Sequence, residues 1–361
     1  MKKHRPGDML YRIYDKLCQK IGRVGKEDVK MNPELLEAVS CDRLHHDLFF
    51  LCRDPLPFRT VSYTIPWHTK NSLDEADDFI AAEMRKYSGQ VTMIPYKLKP
   101  FRCNSSKPLH HWYSTPLPKD PWYDANCIEV ILPGTKYPDE IIQLVSHKDS
   151  MSWINSPGAH DNAVGAVANM ELVRVLSHLK LERTVRVLFC NEEHWPWYSK
   201  DYAENAGSRG DNIIAVMNQD SLCGKSDSAS AARIRTMAAV YSSLEGRGLA
   251  EFIRAEGEKY QLPIAVTVAP KTSMKANGAL PAPDEKNIKF LVNDDDGSFI
   301  KAGYMRTVMN IGSYPYGDPQ YHLAGDIPER VDIINLELSV KLLMASILDI
   351  DAGGGQTFAE L

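Results

Sequence analysis

The 361-residue chain has no run of about 18 apolar residues, so no transmembrane helix is expected. Met1 to Leu10 is basic and lacks an apolar stretch, so no signal peptide is expected there. Its seven cysteines, Cys18, Cys41, Cys52, Cys103, Cys127, Cys190 and Cys223, are scattered and contain no CxxC pair. That spacing argues against a disulfide framework and a zinc ribbon and fits a reducing compartment, so the expected location is cytoplasmic. There is no excess of positive charge: 42 Lys and Arg face 47 Asp and Glu, a net of −5. Neither a nucleic acid nor a membrane is therefore an expected partner. There are no internal repeats, and the composition (43% hydrophobic, 25% charged) excludes collagen-like, coiled-coil and disordered classes.

What remains is an ordinary globular chain, long enough for two domains or one large α/β domain with additions. Residues 1–60 read as a helical extension packed on the main domain. Asp8 caps a stripe of Leu10, Tyr14, Leu17 and Ile21, and residues 1–30 carry a local net charge of +5, read as a solvated face. Asn32 and Pro33 suit an N-cap and first helical residue, and Leu44, Leu48 and Leu51 mark a further helix. Ser72-Leu73-Asp74-Glu75 has the form of a capping box, ahead of Ala76, Phe79, Ile80, Met84 and Tyr87 on one face. A strand is predicted over 91–96, and the Pro- and aromatic-rich stretch 97–125 reads as a long ordered loop.

From residue 127 the pattern alternates. Strands are predicted over 127–132, 141–146, 184–190, 213–218, 236–241, 264–268 and 307–311, and helices over 161–179, 248–260 and 332–348. Nearly all-apolar strands between helices imply a three-layer αβα sandwich around a mixed, mostly parallel sheet. The catalytic domain is placed at 61–350. Residues 351–361, with Gly353, Gly354 and Gly355, are expected to form a flexible tail.

The polar residues that carry chemistry stand where strands end. His147 and Asp149 follow one strand, Glu192 and Glu193 another, and Asp220 a third; Asp161 precedes a helix and His322 lies in a late Tyr/Gly/Pro-rich loop. Sites in open α/β sheets form at the carboxyl ends of strands. Two histidines and several carboxylates there suit zinc, with manganese or cobalt as substitutes, better than a thiolate site would. The set exceeds what one tetrahedral ion uses, and two ions sharing a bridging carboxylate would use it all and activate one water between them. In the Glu-Glu pair one carboxylate can bind metal while the other moves the water's proton. Asp149 is placed to accept the second ring N–H of His147. The run Asp294-Asp295-Asp296 lacks the alternating ligands of a calcium loop and reads as a turn. His110 and His111 read as rim residues, and Cys190 as buried and inert.

The order His-x-Asp, Gly-Ala-x-Asp-Asn, Glu-Glu, Asp, His resembles the co-catalytic di-zinc exopeptidases, the family of bacterial leucyl aminopeptidase, aminopeptidase Y and glutamate carboxypeptidase II. The resemblance spans about 125–350, including Ser298-Phe299 through Gly303 and Tyr321-His322 with Asp326. It implies a zinc-exopeptidase, phosphorylase/hydrolase-like fold and two zinc ions. His147 and Asp220 complete one ion, Glu193 and His322 the other, and Asp161 bridges them. Glu192 is then the general base and acid, Asp149 orients His147, and the Asp161–Asn162 peptide is cis. The implied activity is aminopeptidase hydrolysis of a peptide or small amide through a metal-bridging water. Where the family has Gly-Leu and Gly-Ser after the Glu pair, this chain has His194-Trp195-Pro196-Trp197-Tyr198-Ser199. Trp195, Trp197 and Tyr198 are accordingly assigned to the substrate pocket. A single-zinc glutaminyl cyclase, a relative with a separate dimerisation lid and a catalytically silent binding protein remain open alternatives. Homo-oligomerisation is equally open, with the N-terminal helices available for a dimer contact or a lid.

Overall fold

The computed structural model describes residues 33–272 and 288–358. The helix expected around Leu10–Ile21 lies outside these residues, as does Cys18. A nine-stranded sheet runs through the described residues in the order β10-β9-β11-β8-β5-β6-β4-β1-β7. The strands are β1 (Gln90–Pro100), β4 (Tyr123–Leu132), β5 (Tyr137–His147), β6 (Arg183–Cys190), β7 (His194–Trp195), β8 (Asn212–Gln219), β9 (Thr236–Tyr241), β10 (Ala265–Pro270) and β11 (Thr307–Ile311). A separate two-stranded pair, β2 (Arg102–Cys103) and β3 (Tyr113–Ser114), lies outside it. The centre, β11-β8-β5-β6, is parallel, and β4, β1 and β7 extend it antiparallel.

Strand periodicity sends alternate side chains to two helix layers. Leu144, Val187, Ala215 and Met217 join one core, with helices α1 (Cys41–Cys52), α2 (Ser72–Met84), α3 (Val164–Leu176), α6 (Leu244–Lys259) and α8 (Ile333–Gly353). Val145, Leu188 and Val216 join the other, with α4 (Tyr198–Arg209) and α7 (Asp294–Lys301). A short helix, α5 (Asp227–Ala231), buries no residue. The expected mixed α/β sandwich is therefore the observed fold.

Several local expectations change. The cap of α2 is Asn71, whose side chain accepts the Asp74 N–H, while the Ser72 hydroxyl donates to the Thr60 carbonyl. Ser72 is buried against its neighbour and is spent before it can cap. The predicted loop 97–125 begins as the end of β1 and ends inside β4, because Leu98 and Ala125 bury their side chains together. Asp294-Asp295-Asp296 opens α7 rather than forming a turn, with Asp296 paired to the buried Lys271 at 2.8 Å. The expected flexible tail is packed as far as described: α8 continues to Gly353, and Phe358 is 2% exposed with its ring 5.9 Å from Phe252.

The helix predicted from residue 161 begins at Val164, after a tight π-type turn, Ala159–Ala163, in which Asp161 and Asn162 leave helical geometry and their shared peptide is cis. Asn162 bonds both the Gln219 carbonyl and the Ser221 N–H, tying this turn to the end of β8. The close approach requires glycine at 165: a Cβ there would stand 2.2 Å from the Gln219 carbonyl oxygen. Gly165→Ala is expected to destabilise the protein by about 1–3 kcal/mol through backbone displacement, read as a lowered urea midpoint.

Candidate active site

Because β8, β5 and β6 are adjacent and parallel, their carboxyl ends bring Asp220, His147 and Glu192-Glu193 together although His147 and Asp220 are 73 positions apart. In the register, His147 stands beside Cys190. His147 Nδ1 lies 3.1 Å from Asp149 Oδ1, and its Nε2 lies 3.1 Å from Asp161 Oδ1 and 3.6 Å from Asp220 Oδ1. His322 Nε2 lies 3.2 Å from Asp161 Oδ2 and 3.3 Å from Glu193 Oε1. All five positions expected to hold metal therefore meet in one place, and all are buried.

The outer nitrogens of both imidazoles are committed. Asp149 accepts the Nδ1–H of His147, and the His110 carbonyl accepts the Nδ1–H of His322 at 2.7 Å. Once Nε2 is deprotonated, each ring aims a lone pair at carboxylate oxygens, an arrangement of acceptors facing acceptors that a divalent cation satisfies. Asp161 Oδ2 is buried and makes no hydrogen bond of good geometry, although His322 Nε2 is close. His147, Asp161 and Glu193 form one group of convergent ligand atoms, and His147, Glu192 and Asp220 another. The donor set fits metal.

Titration follows the same crowding. Burial pushes Glu193 up to about 7 against the pull of His322. Burial also raises Glu192 well above the usual carboxyl value, reinforced by Asp295, Asp294 and Asp220. Burial alone would lower His147 and His322, but their carboxylate neighbours reverse that and hold both well above the usual imidazole value. Asp149 is held low despite its burial by hydrogen bonds from His147 and His194. It also accepts the backbone N–H of Glu192 and of Glu193, so one carboxylate positions three elements of the site. Cys190 is buried with its thiol raised well above the ordinary range, and its Sγ–H donates to Asp295; it is inert as expected.

The cavity over these residues measures about 250 Å³, and its wall includes Phe101, Tyr113, Trp197, Tyr316 and Tyr321. Of the three aromatics assigned to the pocket, Trp197 lines it. Trp195 pairs with β1 and sets its ring 5.6 Å from Trp122, while Tyr198 packs on Tyr96 at 4.7 Å; neither belongs to the lining. Both are turned away by secondary structure, Trp195 by its edge-strand pairing and Tyr198 by the first turn of α4.

Other contributors lie outside the ligand motifs, and of these the sequence singles out only Asp326 and His110. Arg59 is fully buried and donates to the carbonyls of Leu51, Lys148, Pro157 and Gly158 at 2.6–2.8 Å, joining α1 to both the His147 and Asp161 loops. Lys148 pairs with Asp77 at 2.6 Å and donates to Asn191, linking the loops after β5 and β6. Asp326 accepts the backbone N–H of His160 and of Asp161. Burial would lower His160, but contacts with Asp318 and Asp326 lift it to about 9, so His160 serves that clamp and is absent from the pocket lining. His110, read as a rim residue, supplies the carbonyl that orients His322. The clue lay in its motif only as a His-His pair among aromatics.

The parallel centre of the sheet presents this buried His/Asp/Glu cluster at its carboxyl ends, an arrangement suited to metal-dependent hydrolysis. The model of Peptidase family M28 matches residues 126–346, and the chain belongs to that family, as a metallo-exopeptidase. Solved structures share the fold at low identity. A leucine aminopeptidase precursor from Bacteroides thetaiotaomicron is 14% identical with a TM-score of 0.61, covering 86% of this chain and 97% of its own. A zinc aminopeptidase from Bacillus subtilis is 13% identical with a TM-score of 0.61, covering 86% and 95%. A glutaminyl cyclase from Bacteroides thetaiotaomicron is 13% identical with a TM-score of 0.60, covering 86% and 98%. No helix among the described residues is long and apolar enough to cross a membrane.

Two outcomes test this arrangement. Arg59→Met strands the carbonyls of Leu51, Lys148 and Pro157, while that of Gly158 keeps the Ala163 N–H, and is expected to cost more than about 3 kcal/mol in urea unfolding and to weaken metal binding about 10–100-fold in chelator competition. Second, the metal-free protein binds more protons folded than unfolded, since Glu193, His147 and His322 are all raised. Its stability must therefore fall as pH rises from about 5 to about 8. Metal requires these groups deprotonated, so calorimetry of the loaded protein is expected to show that slope flattened or reversed.

Proposed function

We propose that this chain is an aminopeptidase that uses two zinc ions and removes N-terminal residues from peptides. The observation that carries the two-ion reading is Asp161, whose Oδ1 faces His147 and whose Oδ2 faces His322. His147 and Asp220 would hold one ion, Glu193 and His322 the other, and Asp161 both. When bound, zinc supplies Lewis-acid polarisation of the scissile carbonyl and an activated water. Glu192 then acts as the proton carrier: it accepts the proton of the attacking water and delivers it to the leaving amine. The Asp295 N–H, 3.2 Å from Oε2, holds its carboxylate in place. Asp149 keeps the His147 ring in the required tautomer.

The choice of chain end rests on charge. The described lining includes Asp161, Glu192, Glu193, Asp220 and Asp294 but no Lys or Arg. With zinc on Asp161, Glu193 and Asp220 the metal offsets their charge, but no cationic side chain in the described lining remains to pair with a C-terminal carboxylate, which supports the amine end.

The test is mass spectrometry of free, N-acetylated and N-terminal-Gln peptides incubated with zinc-loaded protein. Stepwise shortening of the free-amine peptides alone is expected; ammonia loss without shortening would replace this reading with a cyclase. Glu192→Gln is expected to retain its zinc by metal analysis while kcat falls about 10²–10⁴-fold. Wild-type turnover by that variant would overturn the role of Glu192.

A further inference from the structure

The hairpin of β2 and β3 meets a ligand loop through two bonds that run in opposite directions. His322 Nδ1–H donates to the His110 carbonyl at 2.7 Å, and His110 Nδ1–H donates to the Tyr321 carbonyl at 2.5 Å. Each histidine thus gives its ring N–H to the other's segment, across 212 positions of sequence. Both also sit in the left-handed backbone region, His110 at φ 71° and His322 at φ 58°. Residues other than glycine are uncommon there and stay only where their surroundings hold them. β2 and β3 pair with each other outside the nine-stranded sheet, and residues 105–109 at the tip are exposed. Tyr113 of β3 lines the cavity with its ring edge-on to His322 at 5.7 Å, and Tyr321 stacks on the same imidazole at 3.8 Å.

We infer that His110 is a positioning residue for the ion held by His322, and that it acts through its imidazole as well as its carbonyl. By donating to Tyr321, the ring sets the hairpin tip where the His110 carbonyl meets His322 Nδ1–H. With that acceptor in place His322 keeps its proton on Nδ1, and Nε2 faces Asp161 Oδ2 and Glu193 Oε1 at 3.2 and 3.3 Å. Without the His110 ring the carbonyl is no longer tethered, and the His322 ring loses the partner that fixes its tautomer and orientation. Coupling of this kind is mutual: whatever the hairpin contributes to the ion, the ion contributes to the hairpin. Zinc on His322 therefore seats residues 103–113. The inference rests on the reading of His322 as a zinc ligand. A role confined to the backbone orders variants differently, because glycine suits a positive φ best and asparagine next.

The experiment compares wild type with two variants of the full chain. His110→Gly tolerates the backbone conformation and deletes the donor; His110→Asn keeps a donor where Nδ1 stands. The first readout is zinc affinity by chelator competition. The Gly variant is expected to bind one of its ions about 10–100-fold more weakly, and the Asn variant to stay close to wild type. Equal affinity in the two variants, high or low, overturns the positioning role. A wild type that takes up a single zinc, weakened by Gly but not by Asn, keeps the positioning role and removes the two-zinc reading. The second readout is hydrogen exchange of residues 103–113, followed by mass spectrometry with and without zinc. Zinc is expected to slow exchange there in wild type and the Asn variant, and much less in the Gly variant. No effect of zinc on the wild-type hairpin, or full protection in the Gly variant, overturns the coupling. Neither readout needs turnover, so both stand or fall independently of the aminopeptidase reading.

Discussion

Crowding of buried negative charge at the ends of β8, β5 and β6 is the constraint on which the rest of this molecule depends. Asp161, Glu192, Glu193, Asp220 and Asp295 share one low-dielectric region with two imidazoles. An unpaired buried ion costs several kcal/mol, and five together cannot all stay ionised without a counter-charge. The raised carboxyls of Glu192 and Glu193 and the raised imidazoles of His147 and His322 are one response to that strain. Cation binding is the other, and the two compete for the same lone pairs.

Holding acceptors against one another demands a stiff outer layer. The molecule supplies it with hydrogen bonds to backbone and to the far nitrogen of each ring. Asp149 collects four N–H groups, Asp326 collects two, and Arg59 spends its guanidinium on carbonyls of three separate segments. Much of this support comes from residues before 126, where the family model begins. Thr60 holds the far side of His194, His110 orients His322, and Asp77 of α2 pairs with Lys148. The amino-terminal part is therefore built into the site, its leucines sharing the main core.

The cavity itself is an aromatic cleft with acid at its base. Its wall joins the strand ends that carry His147, Glu192, Glu193 and Asp220 to the starts of α4 and α7, which bring Trp197 and Asp294.

The sequence alone determined the αβα class, most strands and the five metal-type positions. These signals are local: apolar runs mark buried strands, and a strand's carboxyl end marks where polar residues gather, so His147, Glu192, Glu193 and Asp220 were legible from their immediate neighbours. Asp161 was legible from its short motif, although the displaced start of α3 was not, because its turn is shaped by Asn162 reaching across to β8. Tertiary structure alone decided which way Trp195, Trp197 and Tyr198 face, that Asn71 rather than Ser72 caps α2, that Phe358 is buried, and that Arg59 and His110 serve the site. Apart from the α2 cap, which Thr60 decides from twelve residues away, each of these depends on a partner dozens to hundreds of residues distant, and a side chain's orientation is set by whichever surface the fold brings against it.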